Sequence, residues 1–236
     1  MDNFSENPER RHIVDNAALN SFLSKMYGIM ALAVFVSAIT AYLTMTVFAG
    51  PMMRFASNSW GVWLLLLLPF ALTIGISFRA TRNPVASFIM LMITAIIYGI
   101  TFAFIAGAYT GADIAAAFIS SAGVFITMAI IGTVTKRNLS NLGSYASAAL
   151  IGLIVAWIIN MFRKNPMVDY IFSFIAVIIF TILTAWDAQR MKQIYLNYGS
   201  QVSTTGLAVQ GALMLYLDFV NLFLQFLEIF GFSNRN

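Results

Sequence analysis

The sequence contains no cysteine and a single histidine, His12. Without cysteine there is no disulfide framework, no thiolate nucleophile and no cysteine-based metal site. His12 lies in the polar N-terminal segment, so a Ser/His hydrolase or a His-based zinc protease lacks its essential side chains. We therefore expect a protein that is not an enzyme and that has no resident cofactor.

Charge is also scarce in this chain. Only 9% of the 236 residues are charged, whereas 60% are hydrophobic. A typical soluble domain is about 25% charged and about 45–50% apolar. The composition excludes an ordinary soluble globule, a disordered chain and a nucleic-acid-binding protein, and it predicts that the protein lies in a lipid bilayer and does its work there.

The hydrophobic residues form long runs. Residues 1–21 are polar and predict a cytoplasmic tail, and residues 22–231 contain seven apolar runs, each near the roughly 20 residues that a membrane span requires. None alternates polar and apolar residues as a barrel strand does. We therefore predict an all-α fold, a polytopic membrane protein with seven transmembrane helices in a single domain, with residues 232–236 as a short C-terminal tail. The runs are Phe22–Phe48, Trp60–Phe78, Val85–Tyr109, Ile114–Val134, Tyr145–Phe162, Val168–Asp187 and Gly206–Phe230, and Gly50-Pro51 marks the first break.

The basic residues predict the orientation. With the N-terminus in the cytoplasm, nine of the 13 Lys and Arg residues fall in inside segments and four in outside segments, as the positive-inside rule requires. Seven spans then place the C-terminus outside. If the last run re-enters the membrane instead, the C-terminus returns inside and the count becomes ten to three, so both arrangements of this run stay open.

Three carboxylates fall within apolar runs, namely Asp187, Asp218 and Glu228. An ionisable residue inside a membrane span costs roughly 2.5–3.5 kcal/mol on insertion scales and marks a functional site by default. We therefore expect the functional site to lie in the last two runs.

The seventh run carries a polar stripe. At about 100° per residue, its five polar residues fall within about 80° of one another, and lipid cannot satisfy them, so the stripe should face inward. It either lines a polar pathway or acts as polar glue between helices. The members of the stripe are Gln210, Asp218, Asn221, Gln225 and Glu228. Our pore-lining candidates are Gln210, Asn221, Gln225 and Glu228, together with Thr184 of the sixth run.

Asp187 and Asp218 flank a polar turn, Asn197 to Thr205, that joins the last two runs. In an antiparallel hairpin around this turn the two carboxylates lie at similar depth, with Thr184 one turn before Asp187 on the same face. Two carboxylates that approach each other in a low dielectric tend to share one proton. When deprotonated they offer the oxygen ligands that Ca²⁺ prefers, so the pair is a candidate proton-sensitive latch and transient Ca²⁺ contact.

Two segments resemble the signature of the Bax inhibitor-1 family in its bacterial branch: Phe180–Tyr195, with the core Ala-Trp-Asp-Ala-Gln-Arg, and Leu213–Gly231, with the core Leu-Tyr-Leu-Asp-Phe-Val-Asn-Leu-Phe. The resemblance extends over nearly the whole chain. It implies a seven-helix fold around a central last helix in the bacterial inner membrane, with a di-aspartyl pH sensor that gates a Ca²⁺ leak. By motif match, the sensor residues are Asp187 and Asp218.

The resemblance also implies a basic partner for the aspartates at the cytoplasmic end of the second helix, which Arg79 or Arg82 can supply. Two positions depart from the family pattern. Trp186 replaces the tyrosine that usually precedes the first aspartate, and no acidic residue occurs between Trp60 and Phe78, where some members carry a glutamate.

These observations favour a pH-gated cation leak channel, with Ca²⁺ as the permeant ion. The alternative is a protein that modulates a membrane partner, such as a quality-control protease, and does not transport ions. The polar N-terminal tail would then be the segment that the partner binds. An intramembrane hydrolase that uses the two aspartates is disfavoured, because neither aspartate is followed by the Gly-rich sequence that would admit a peptide backbone.

Overall fold

The computed structural model describes residues 16–56 and 59–233, and within these ranges the chain forms helices and no strand. The polypeptide is therefore all-α, as predicted. The helices of the described residues are α1 (Asn16–Thr46), α2 (Ala49–Ala56), α3 (Ser59–Arg79), α4 (Pro84–Ala106), α5 (Gly111–Val134), α6 (Ser140–Arg163), α7 (Pro166–Tyr198) and α8 (Thr204–Ser233).

Local capping signals set several helix boundaries. The Asn83 side chain accepts a hydrogen bond from the Ala86 amide at the start of α4, and Asn165 plays the same role for α7. Thr110 and Asp113 form a reciprocal capping box at the start of α5. Such side chains satisfy amide groups that have no partner within the first helical turn, so these breaks lie where the sequence predicts them.

The predicted tails are shorter than expected. Helix α1 begins at Asn16, inside the segment 1–21 that was predicted as a tail, and α8 runs on to Ser233, inside the segment 232–236. The remainder of the predicted tails, residues 1–15 and 234–236, lies outside the described residues.

Helix α2 was not predicted. The Gly50-Pro51 break lies in this eight-residue helix, Ala49–Ala56, rather than in an open loop. Pro51 is tolerated because it lies in the first turn, where its missing amide hydrogen would have had no acceptor within the helix.

Six helices of the described part are long and apolar enough to cross a membrane: α1 and α4 to α8. Helix α3 covers the second predicted run, and its Leu67–Arg79 segment is apolar but shorter.

Helix α8 lies at the centre of the bundle and contacts α1, α3, α4, α5 and α7. No residue between Ser203 and Phe232 is exposed. Within its most apolar window 67% of α8 is buried, against at most 33% for any other candidate span. The sequence predicts that α8 turns its polar stripe, and only that stripe, toward the bundle. This prediction is not confirmed, because neighbouring helices cover both the polar and the apolar face of α8.

The two ends of the bundle differ in charge. At one end, where α3, α5 and α7 finish, the Lys25 ammonium group donates to Thr205 Oγ1 at 2.6 Å and Lys192 donates to the Thr133 carbonyl at 2.8 Å. We call this the basic end. The opposite end, where the α4–α5 connection meets the last turns of α8, is called the Tyr109 end.

Candidate functional site

Asp218 lies near the middle of α8 and is 5% exposed. Its Oδ2 atom is buried and has no hydrogen-bond partner among the described residues. Burying an ionised carboxylate without a partner carries a large desolvation cost. The surroundings of Asp218 therefore favour a neutral or shared-proton state of this carboxyl group.

Asp187 is the neighbouring carboxylate. It is half-buried on α7, which packs along α8, and its charge acts on Asp218. Gly211 of α8 packs against Met191 of α7. In an antiparallel register fixed by this contact, the two aspartates lie within roughly 5 Å of the same depth at about 1.5 Å per residue, as the hairpin argument predicts.

Arg190 is the basic residue whose charge acts on Asp187. Its guanidinium carbon lies 5.1 Å from the ring centre of Trp186, a cation–π arrangement. The sequence analysis missed Arg190, although its position one turn after Asp187 is the spacing at which helical side chains meet.

Arg79 and Arg82, the predicted partners, are both exposed at the basic end. Neither is among the groups whose charge acts on Asp187 or Asp218. Their role as partners of the aspartates stays a prediction.

The part of α7 that carries Ala185 and Trp186 packs tightly against α5 and α6. A Cβ atom added at Gly132 of α5 would overlap the backbone of Ala185, and one at Gly143 of α6 would overlap the Trp186 ring. Trp186, the residue that departs from the family pattern, therefore lies on the α6 side of α7. The two glycines therefore allow α5 and α6 to pack closely against α7 at Ala185 and Trp186, next to Asp187.

Gln189 fixes the α5–α6 connection to α7. It is 5% exposed, its Oε1 atom accepts from the Leu139 amide, and its Nε2 atom donates to the Arg137 carbonyl, both at 2.8 Å. Leu139 is the residue that precedes α6, and its own side chain makes no capping hydrogen bond. Gln189 therefore joins the start of α6 to α7, two residues after Asp187.

Two hydrogen bonds connect α8 to α1 and α4 close to Asp218. The Tyr216 hydroxyl lies 2.7 Å from Ser37 Oγ, and Ser37 Oγ lies 2.9 Å from the Ala95 carbonyl. This chain of contacts joins α8, α1 and α4 two residues before Asp218.

Two of the predicted pore-lining residues use their polar groups within their own helices. The Thr184 hydroxyl donates to the Phe180 carbonyl at 2.7 Å, and the Asn221 amide donates to the Leu217 carbonyl at 2.8 Å. Such bonds satisfy polar side chains where lipid or apolar packing cannot.

The other members of the stripe are all covered. Gln225 is buried, Gln210 and Glu228 are half-buried, and Glu228 accepts a 2.6 Å hydrogen bond from the Tyr109 hydroxyl. No member of the stripe is exposed in this structure, and the role of the stripe in lining a pathway stays a prediction.

Two apolar cavities, of about 480 and 410 Å³, lie between α1 and α5, and Phe219 of α8 lines both. Tyr27 and Val34 lie on the α1 side of the first, and Phe125 lies on the α5 side. Because their linings are apolar, these cavities offer no path for an ion.

The described residues contain no group of three or more His, Cys, Asp or Glu side chains that could hold a metal ion. A dedicated Ca²⁺ site takes 6–8 oxygen ligands. The transient Ca²⁺ contact at Asp187 and Asp218 stays a prediction.

Comparison with known proteins identifies the family. Residues 19–235 match the family model described as "Inhibitor of apoptosis-promoting Bax1". The chain belongs to the Bax inhibitor-1 family. This confirms the resemblance carried by the segments around Asp187 and Asp218.

Bacterial members of the Bax inhibitor-1 family align with almost the whole chain. Inner membrane protein YbhL of Escherichia coli K12 is 34% identical over 239 aligned positions, covering 98% of this chain and 99% of YbhL. An uncharacterized membrane protein of Streptococcus pyogenes serotype M3 is 38% identical over 217 positions, with 92% and 94% covered. An uncharacterized protein of Rickettsia prowazekii is 32% identical over 213 positions, with 90% of each chain covered. The present protein is accordingly a Bax inhibitor-1 family membrane protein.

Proposed function

We propose that this Bax inhibitor-1 family member is a pH-gated leak channel for cations, with Ca²⁺ as the main permeant ion and Asp187 and Asp218 as the proton sensor. The observation that supports this proposal is the buried Asp218 carboxyl group, which has an unpartnered oxygen beside a second carboxylate.

The gating logic follows from the electrostatics of the pair. Two close carboxylates away from water cannot both ionise cheaply, so they share one proton and hold α7 against α8. Loss of that proton as the pH rises adds repulsion between two negative charges. Flux is therefore expected to be low at acidic pH and to increase as the pH rises.

In this proposal the structure represents the closed state. The polar residues of α8 are covered, and Asn221 and Gln225 lie between the aspartates and the Tyr109 end. Separation of α7 from α8 would uncover this stripe for a hydrated cation. The positive charge that stabilises the closed aspartate pair would come from Arg190, or from Arg79 or Arg82 after a movement of α3.

We further propose seven spans, with α3 as the seventh, in the inner membrane of a bacterium and with the basic end in the cytoplasm. The predominance of Lys and Arg at that end supports this orientation. Asp187 lies 11 residues before the end of α7 at Tyr198, which is roughly 16 Å along a helix. The sensor would then respond to cytoplasmic pH.

The test is Ca²⁺ flux into liposomes that contain the full-length protein and an enclosed Ca²⁺ dye, measured across a range of pH. Asp187→Asn and Asp218→Asn each remove one charge of the pair, so flux should stay near its low-pH level at every pH. Ser173→Ala is the matched control, because Ser173 is buried on the same helix as Asp187 and its hydroxyl donates to the Asp169 carbonyl of that helix. A wild-type pH dependence in both Asn variants would rule out the aspartate sensor.

A further inference from the structure

A hydrogen bond joins the Tyr109 end of α8 to the α4–α5 connection. The Tyr109 hydroxyl donates to Glu228 Oε2 at 2.6 Å. Hydrogen bonds to an ionised acceptor are short and about twice as strong as neutral ones. Glu228 lies ten residues beyond Asp218 on α8, which is roughly 15 Å along the helix axis.

The connection presents Tyr109 in a defined position. The amides of Ala108 and Tyr109 bond to the carbonyls of Ile105 and Ala106, each at 3.0 Å, which continues the last turn of α4. The capping box that starts at Thr110 follows at once. A four-residue connection fixed on both sides gives the Tyr109 side chain little freedom.

Gly231 makes room for the Tyr109 ring. A Cβ atom at this position would overlap the ring, so any larger residue would push Tyr109 away from α8. Glu228 and Gly231 are one helical turn apart and lie on the same side of α8. The tyrosine ring therefore covers the last turns of the polar stripe, and its hydroxyl binds the carboxylate beneath it.

We propose that Tyr109 and Glu228 form a second closure of the pathway, in series with the aspartate pair. Glu228 is the carboxylate that a divalent cation contacts at this end, and Tyr109 is the positioning residue that holds it in the closed arrangement. This inference rests on the proposed channel function and adds to it a cation contact and a gate at the opposite end. Asn221 and Gln225 lie between the two closures.

The absence of cysteine from the chain permits a direct accessibility test. A single Gln225→Cys substitution places one thiol between the closures in the full-length protein, reconstituted in liposomes. A membrane-impermeant maleimide, applied from the Tyr109 face, reports access. Tyr109→Phe in this background should raise the labelling rate about tenfold, the scale expected for loss of a hydrogen bond to a charged group.

Tyr170→Phe is the matched control. Tyr170 lies at the same end, on α7, and its ring stacks on Phe232 of α8 with the ring centres 4.4 Å apart. This variant should label at the rate of the Gln225→Cys parent. Equal labelling of the Tyr109→Phe and Tyr170→Phe variants would overturn the proposed closure.

Glu228→Gln provides a second test should Tyr109→Phe disturb folding. The amide keeps an acceptor for Tyr109 but loses the charge, so labelling should increase by a smaller factor than in Tyr109→Phe, and Ca²⁺ flux at the open pH should fall. Labelling and Ca²⁺ flux both equal to the parent would contradict the proposal. The labelling does not require transport, so a failed aspartate test with faster Tyr109→Phe labelling would rule out the aspartate sensor and leave the closure at the Tyr109 end standing.

Discussion

Gly132 offers a sharp test of how α5 supports the aspartate site. An alanine Cβ at this position would lie 2.8 Å from the Ala185 carbonyl carbon and 2.9 Å from its Cα atom, and it would overlap the carbonyl oxygen. These are backbone atoms, so no side-chain rotation relieves the overlap. Gly132→Ala must therefore move α5 away from α7.

The size of the effect follows from these distances. Carbon atoms pack best at about 3.5–4.0 Å, so the helices must separate locally by roughly 1 Å. Overpacking of this kind typically costs about 1–3 kcal/mol, whereas replacing a helical glycine by alanine gains about 0.5–1 kcal/mol. We expect a net loss of about 1–2 kcal/mol. Because Asp187 lies two residues after Ala185, the pH dependence of flux should also shift.

The same substitution at Gly123 provides the control, since it lies on the same helix and a Cβ there would meet nothing within 4 Å. Gly123→Ala should leave stability unchanged or raise it by up to about 1 kcal/mol. Both variants can be compared by reversible unfolding in mixed micelles, followed by tryptophan fluorescence. A Gly132→Ala variant as stable as Gly123→Ala would refute the close α5–α7 packing.

Replacement of Gln189 by Leu should destabilise the protein by about 1–3 kcal/mol, because two partly buried backbone groups of the α5–α6 connection lose their hydrogen-bond partner. Hydrogen exchange at the Leu139 amide should accelerate, and an unchanged exchange rate would contradict this role. Deletion of residues 1–15, which precede α1, should leave Ca²⁺ flux and its pH dependence intact under the channel proposal. Loss of flux on deletion would count against that proposal, whereas an effect on a membrane protease with flux retained would favour a modulator function for the tail.

The parts of the fold that depend on local sequence were predictable. The breaks before α4, α5 and α7 depend on Asn83, Thr110 and Asn165, which cap the following helices with their own side chains. The similar depth of Asp187 and Asp218 follows from their positions around one turn. These predictions depend only on residues that are close in sequence or that lie on the two helices of a single hairpin.

Features that depend on distant contacts were not predictable. The hydrogen bonds of Gln189 join it to Arg137 and Leu139, which lie 52 and 50 residues earlier in the sequence, and no local pattern shows them. Likewise, nothing local shows that Tyr109 reaches Glu228 across 119 residues of sequence. The prediction that α8 turns only its polar face inward is not confirmed for a related reason. Periodicity shows which residues share one side of a helix, but it does not show how many neighbouring helices surround that helix.

The central position of α8 has a consequence for biosynthesis. The helix that the others surround follows all of them in chain order among the described helices. Until Thr204 and the residues after it emerge from the ribosome, α1, α4, α5 and α7 lack the common surface against which they pack. Their assembly must therefore wait for the synthesis of α8, and a chain truncated before α8 would lose the centre of the bundle rather than one of its edges.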